Sequence, residues 1–373
     1  MTVSFWQPVP DPIRAEHDDV VIGAGIVGSY AAWILKQRGR DVALVDARHP
    51  AAGASGRNGG FVMTSQRESY PDLVEQVGRD AARHMLEMVC DNVRRMRQIA
   101  TQFNVPYDDG AVHVAETRAE ARELERWARL FESDGVTLEF TERDPYGAGY
   151  AAAMRVKDDF VVQPARLTEA IASASQATLY ENNEVYDIRR DGDRLVVAGR
   201  RAHLQCERVY VATNGYTGHL HPHLQDLVRP VRGQILLTRP LPPLLEVAGL
   251  TEYHYFRQFP DGRVLIGGAR CFFEQQEYTS QDIVTMNLQR SLEGYLSRWF
   301  DVDFEVERRW AGIHGFTPDR RAAIGRIPQE PNIAFALGFS GYGNSIGLVS
   351  AERMVELAMD GRDPGPLNAA RFA

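Results

Sequence analysis

Short apolar runs that stop at glycine set the rhythm of this chain. Asp19-Val-Val-Ile22 ends at Gly23 and predicts a buried strand. Ile26 to Arg38 has helical composition and closes at Gly39, a residue suited to a helix C-terminus. Asp41 to Val45 predicts a second buried strand, ending in Asp46. Together these make a strand–helix–strand unit, expected to be parallel and right-handed. Beyond the glycine-rich stretch Ala51 to Gly60, a helical pattern covers Pro71 to Phe103. A strand is expected at Gly110 to Ala115, and helices at Arg118 to Asp134 and Gln163 to Ala174.

The pattern then shortens to strands at Glu184 to Arg189, Arg194 to Ala198 and Arg208 to Ala212, with Asp191-Gly192-Asp193 as a hairpin turn. Alternating stretches follow at Arg232 to Thr238, Tyr253 to Phe259 and Arg263 to Gly268, the last two joined by Pro260-Asp261-Gly262. Asp282 to Arg298 reads as a helix and Phe304 to Ile313 as a strand. Ile333 to Leu337 is one more buried strand, running through glycines into a last helix at about Asn344 to Met359. Residues 1–17, with Pro8, Pro10 and Pro12, read as an irregular arm. A strand–helix–strand start, a block of antiparallel strands and a returning strand and helix imply two interleaved domains in an α/β chain.

Composition excludes more than it selects. The chain has 373 residues, 44% hydrophobic and 25% charged, which is ordinary for a folded protein of two domains. Acidic residues outnumber basic ones, 50 to 42, and the net charge of −8 argues against a nucleic-acid partner. Cys90, Cys206 and Cys271 have no CxxC spacing, so no disulfide framework or cysteine metal site is expected, and a cytoplasmic location fits. No metal is expected at all. The longest uncharged run, Asn332 to Ala351, is broken by glycines, serines and Asn344, so no membrane span is expected.

Glycine is where the chemistry gathers. Gly23-Ala-Gly25-Ile-Val-Gly28 has GxGxxG spacing, follows a strand, opens a helix and is answered by Asp46 at the end of the next strand. Gly23 permits the turn, Gly25 lets backbone approach a pyrophosphate, and Gly28 lets the helix pack against the strand. The helix N-terminus faces the phosphates, and Asp46 can accept from ribose hydroxyls. NAD and FAD both suit this unit; its place at the start of a long chain favours FAD. A second cluster, Gly53-Ala-Ser55-Gly-Arg57-Asn58-Gly59-Gly60, can lay bare N–H groups against an anion or a ring, with Ser55 as a donor. A third, Gly338-Phe-Ser-Gly341-Tyr342-Gly343-Asn344, precedes the last helix, whose positive end would stabilise a reduced flavin, and Asn344 is its expected cap.

These segments resemble the D-amino-acid oxidase superfamily of FAD-dependent oxidoreductases, which includes glycine oxidase and sarcosine oxidase. The likeness rests on DVVIGAGIVGSYAAWILKQRGRDVALVD followed by GASGRNGG, on Val209 to Tyr216, Arg232-Gly-Gln234, Asp261 to Gly268 and Trp310-Ala-Gly312. The SGRNGG wording and the arm with Phe5-Trp6 are most similar to the gamma-glutamylputrescine oxidase branch. The resemblance implies a Rossmann-like FAD-binding domain (18–80, 155–225 and 315–373) interleaved with an antiparallel-sheet substrate domain (81–154 and 226–314). It also implies FAD, expected to be non-covalent because the first two clusters hold no cysteine or histidine for attachment and His49 is only the nearest. The cofactor contacts then expected are Gly23, Gly25, Ile26, Gly28, Asp46, Ala47, Ser55, Arg57, Asn58, Gly59, Gly60, Val185, Thr213, Gly215, Gly312, Gly341, Gly343 and Asn344.

The reaction implied is oxidation of a C–N bond in a small amine, with oxygen or another carrier taking the electrons and the imine product hydrolysed. Amino-acid-oxidising members carry an arginine after Trp-x-Gly that clamps the substrate carboxylate. Here His314 stands in about that place, and imidazole cannot make the two-pronged contact. Tyr255, Arg257 and Phe259 share one face of a predicted strand, so Tyr255 and Arg257 are expected to line the pocket, with Arg257 supplying the missing contact. Tyr342 is expected to wall it. An NAD-linked dehydrogenase and a flavin-binding subunit inactive without a partner chain remain the alternatives, and a homo-oligomer is open.

Overall fold

The opening strand–helix–strand unit forms as Asp19–Ile22, Ile26–Gln37 and Val42–Val45, in a computed structural model that describes residues 11–65 and 69–372. Every residue of both strands is buried, as continuous apolar runs require when a parallel sheet is covered on two faces. They stand inside a six-stranded sheet in the order 178–180, 42–45, 19–22, 208–211, 330–337, 323–327, antiparallel only at the last pair. Helices Ile26–Gln37, Pro164–Ser175 and Gly343–Asp360 cover one face. On the other, a four-stranded sheet brings Leu195, Val197 and Leu204 against Val20, Ile22 and Val45.

Ile13–Glu16 corrects the irregular arm: these residues are a strand, parallel to the unforeseen strand Ala202–Cys206. Phe5-Trp6, Pro8 and Pro10 lie outside the described residues. The helical stretch after Pro71 is two helices, Tyr70–Val77 and Arg79–Gln102, parted at Gly78, whose φ is 82°.

A second sheet has eight strands in the order 306–316, 229–238, 264–268, 254–258, 248–250, 111–115, 152–156, 138–141. All its pairings are antiparallel except 248–250 with 111–115. Helices Arg118–Ser133 and Met286–Phe300 bury their apolar faces on it. Helix Arg79–Gln102, expected in the second domain, packs on the last helix, where Asn92 accepts from Leu348 N (2.8 Å) and donates to the Asn344 carbonyl (2.8 Å). Strand Ala152–Val156 belongs to the eight-stranded sheet, between 111–115 and 138–141.

Candidate functional site

One cavity of about 530 Å³ runs between the two sheets, within the size range of cofactor and ligand pockets. The fingerprint turn forms one end. Gly23 has φ 101°, and a Cβ there would stand 2.7 Å from the Ala212 carbonyl oxygen. A Cβ on Gly28 would collide with the Gly23 carbonyl oxygen, so helix and turn touch only because both residues are glycine. Asp46 is aimed by backbone: Ala24 N donates to Oδ2 and Arg48 N to Oδ1, both at 2.8 Å. Ser55 Oγ accepts from Ile26 N (2.9 Å) at the helix N-terminus, which leaves its own proton for an anion in the cavity.

The second glycine cluster is not wholly loop. Ala54–Arg57 makes one helical turn, closed by Asn58, whose Nδ2 donates to the Ala54 and Ser55 carbonyls at 3.0 Å. Asn58 Oδ1 accepts from Gly60 N (2.7 Å) and from Asn344 Nδ2 (3.0 Å), joining the second cluster to the third. Asn344 is therefore not the helix cap. The last helix begins at Gly343, and Tyr342 holds the cap position.

At the inner end the second domain supplies the wall. The Tyr255 ring lies 2.9 Å from a Cβ position on Gly59 and meets Phe61 edge-on, with ring centroids 5.7 Å apart. Burial pushes its hydroxyl up to about 12. The His314 ring stands over Gly233, where a Cβ would lie 2.5 Å from Nε2. Burial first, and then the charge of Arg270, pushes its pKa down to about 3, so this imidazole is neutral. Tyr342 also faces the cavity, with Phe61, Met63, Leu250, Ile313 and Phe339 as apolar walls.

Of the residues expected at the cofactor, Gly23, Gly25, Ile26, Asp46, Ala47, Ser55, Asn58, Gly59, Val185, Thr213, Gly341, Gly343 and Asn344 line the cavity. Gly28, Arg57, Gly60, Gly215 and Gly312 do not. Gly28 serves packing, and Gly215 lets backbone pass His314, whose carbonyl oxygen would lie 2.5 Å from its Cβ. Arg57 donates to Asp282 (2.8 Å) and to the Ala311 carbonyl (3.0 Å), beside Gly312. Arg257 is corrected too. It reaches past the cavity to Asp108 (2.9 Å) and the Val162 carbonyl (3.1 Å), and it lines a separate cavity beside Phe259. Its Tyr255 neighbour on the same face lines the main cavity.

The glycine turn, the aimed carboxylate and the paired glycine cradles decide the comparison with known proteins. Residues 18–357 match the family described as DAO, FAD dependent oxidoreductase. The chain belongs to that family. Among relatives, the probable oxidoreductase OrdL of Rhizobium meliloti (strain 1021) is 26% identical, covering 93% of this chain and 84% of the relative. Gamma-glutamylputrescine oxidoreductase of Escherichia coli (strain K12) is 24% identical over 91% of this chain and 83% of its own. The crystal structure of glycine oxidase from Geobacillus kaustophilus superposes with a TM-score of 0.81 at 21% identity, covering 95% of this chain and 99% of that one.

This FAD-dependent oxidoreductase has residues that fit the cofactor. The cradle that a Cβ on Gly23 would obstruct, the Ser55 hydroxyl at a helix N-terminus and the aimed Asp46 suit a pyrophosphate and a ribose. Among the described residues no group of three or more His, Cys, Asp or Glu gathers to hold a metal ion, and no helix is long and apolar enough to cross a membrane.

Several lining residues were not expected from the sequence, Arg48, Tyr216 and Arg270 among them. Arg48 stands 5.9 Å from the Tyr216 ring centroid, and both line the cavity. Arg270 enters from the end of strand Val264–Gly268. Gly267-Gly268 just before it was the available signal, since paired glycines at a strand end mark a close approach of backbone.

Proposed function

We propose that this oxidoreductase oxidises the C–N bond of a small amine or amino-acid derivative and holds its FAD without a covalent bond. The inner end of the cavity carries the proposal: a neutral imidazole and a protonated phenol stand among apolar walls. FAD, when bound, accepts the hydride equivalent that leaves the substrate carbon. An amine carbon releases hydride when its nitrogen keeps a free electron pair, so the substrate has to be held uncharged. Apolar walls disfavour ammonium. Neutral His314 offers an acceptor for an amine N–H, and Tyr255 keeps its proton as a donor. Loss of hydride leaves an iminium, which water converts to a carbonyl and an ammonium product. The side chains therefore have to bind and orient, with no protein base in the hydride step.

Glycine and gamma-glutamylputrescine, the compounds in two relatives' names, both contain such a C–N bond, which supports the substrate class. The test is anaerobic. Purified yellow protein is mixed with amines, polyamine derivatives and amino acids, and the flavin absorption should bleach with a substrate while a carbonyl product accumulates. Protein that dithionite reduces but none of these compounds does would overturn the reading. Heat denaturation should release the flavin into solution; flavin retained on the chain would refute the non-covalent link.

A second reading, a flavin-binding chain that needs a partner subunit, draws on one observation. Phe272, Tyr278, Ile283, Val284 and Met286 all expose apolar side chains on the segment that follows Arg270. It predicts bleaching by an amine only after a second polypeptide is supplied.

A further inference from the structure

One carboxylate oxygen joins three segments that lie far apart in sequence. Asp282 Oδ2 accepts from Arg48 Nη1 (3.2 Å) and from Arg57 Nη1 (2.8 Å). Arg48 belongs to the loop after strand Val42–Val45, where its own backbone N–H aims Asp46. Arg57 ends the helical turn Ala54–Arg57 that carries Ser55. Asp282 comes from the other side, on a short strap whose two feet are pinned to one residue. Gln234, fully buried in strand Arg229–Thr238, donates to Glu277 (3.0 Å) and to Thr285 Oγ1 (2.7 Å), and accepts from Thr285 N (2.9 Å). Between those feet Tyr278, Ile283 and Val284 expose large apolar side chains, so packing does little to fix the crown of the strap. Charge fixes it. The strap thus runs from the eight-stranded sheet to the end of the cavity that Asp46, Arg48 and Ser55 line.

Two guanidinium groups drawn to one oxygen repel each other once that oxygen loses its charge. We propose that Asp282 is a positioning residue for the cofactor. By pairing with both arginines it holds Asp46, suited to the ribose, and Ser55, suited to the pyrophosphate, in one arrangement, and so slows the release of FAD. All three charged side chains are partly exposed, which makes the tie modest in strength and sensitive to salt. The inference rests on the non-covalent reading of FAD and is independent of what the protein oxidises.

The experiment needs no substrate. FAD-loaded protein is diluted and the rise in free-flavin fluorescence gives the release rate. Asp282→Asn should release FAD about fivefold faster, and Asp282→Glu should recover most of the difference because it keeps the charge. Raising sodium chloride from about 0.05 to 0.5 M should speed release more from the parent than from Asp282→Asn. Arg57→Gln should also speed release, although Arg57 does not line the cavity, and should add little to Asp282→Asn, since both remove one tie. Urea unfolding of the flavin-free proteins separates positioning from general support: the parent and Asp282→Asn should unfold alike. Unchanged release from Asp282→Asn, equal acceleration in Asp282→Glu, equal salt responses, additive effects of the two substitutions, or a matching loss of flavin-free stability each overturns the inference. If Asp282→Asn does not load FAD, Arg57→Gln decides in its place, and unchanged release from it overturns the inference. Flavin that heat cannot free from the chain removes the non-covalent reading and this inference with it. Flavin that heat frees, but that leaves parent and Asp282→Asn at equal rates, removes this inference alone.

Discussion

At Gly28 one methyl group decides whether the fingerprint can close, because a Cβ there would strike the Gly23 carbonyl oxygen. The obstacle is backbone, so no side-chain rotation relieves it, and overpacking of this kind costs about 1–3 kcal/mol. Gly28→Ala should therefore purify with a lower ratio of flavin to protein absorbance, and a full complement of FAD would refute the packing argument. Asp159 poses a different problem. It is fully buried, and Thr64 donates to it through both N–H and hydroxyl at 2.7 Å. Burial outweighs those bonds and pushes the carboxyl up from its ordinary 3.8 to about 7. The folded state thus favours the protonated acid, so this stabilising contribution is complete below pH about 4 and disappears as pH rises through about 7. Thermal melts of the parent and Asp159→Asn across that range should show the parent losing stability with rising pH relative to the variant. Parallel curves would refute the shift.

Between elements, the segment from Arg270 to helix Met286–Phe300 is held by charge at two points. Asp282 accepts from Arg48 and Arg57 near the fingerprint end. Glu277, fully buried, accepts from Arg232 Nε (2.7 Å) and Nη2 (3.0 Å), and from Gln234. Removing one partner of a buried pair leaves the other charge uncompensated, which costs about 3–5 kcal/mol. Glu277→Ala should lower unfolding stability in urea by that order, and Glu277→Gln by less, because the amide keeps part of the network. A loss under about 1 kcal/mol for Glu277→Ala would show that the segment is held by other contacts. Arg232-Gly-Gln234 stood out in the sequence as a family-like strand start, but nothing in its pattern named Glu277 as the partner of both side chains.

Across the whole molecule the cavity exists only where the two domains meet, since the fingerprint turn and strand His254–Gln258 line it from opposite sides. A ligand bound between two units stabilises both through mass action, by about 2.7 kcal/mol at a concentration a hundredfold above its dissociation constant. Added FAD should therefore raise the melting temperature of flavin-stripped protein as a single transition that climbs with FAD concentration. Two transitions, only one of them responsive, would show that the domains unfold independently. The same geometry explains which expectations survived. The strand–helix–strand unit, its glycines and Asp46 were legible because their requirements are local: a turn next to a helix start admits glycine whatever the rest of the chain does. The helix break at Gly78 and the strand Ile13–Glu16 were not, since the first depends on one backbone angle and the second on a partner almost 190 residues away in sequence. The inner wall was read only in part. Alternation along a strand tells which side chains share a face, and Tyr255 and Arg257 do share one. It is silent on which neighbours each meets, and Arg257 bonds Asp108 while Tyr255 lies over Gly59. The sequence by itself thus determined the glycine turn and the aimed Asp46, where short-range sterics leave few choices. Only the tertiary structure decided the inner end of the cavity, because Arg270, His314 and Tyr255 come from separate segments and meet through sheet register and the left-handed turn at Ala269.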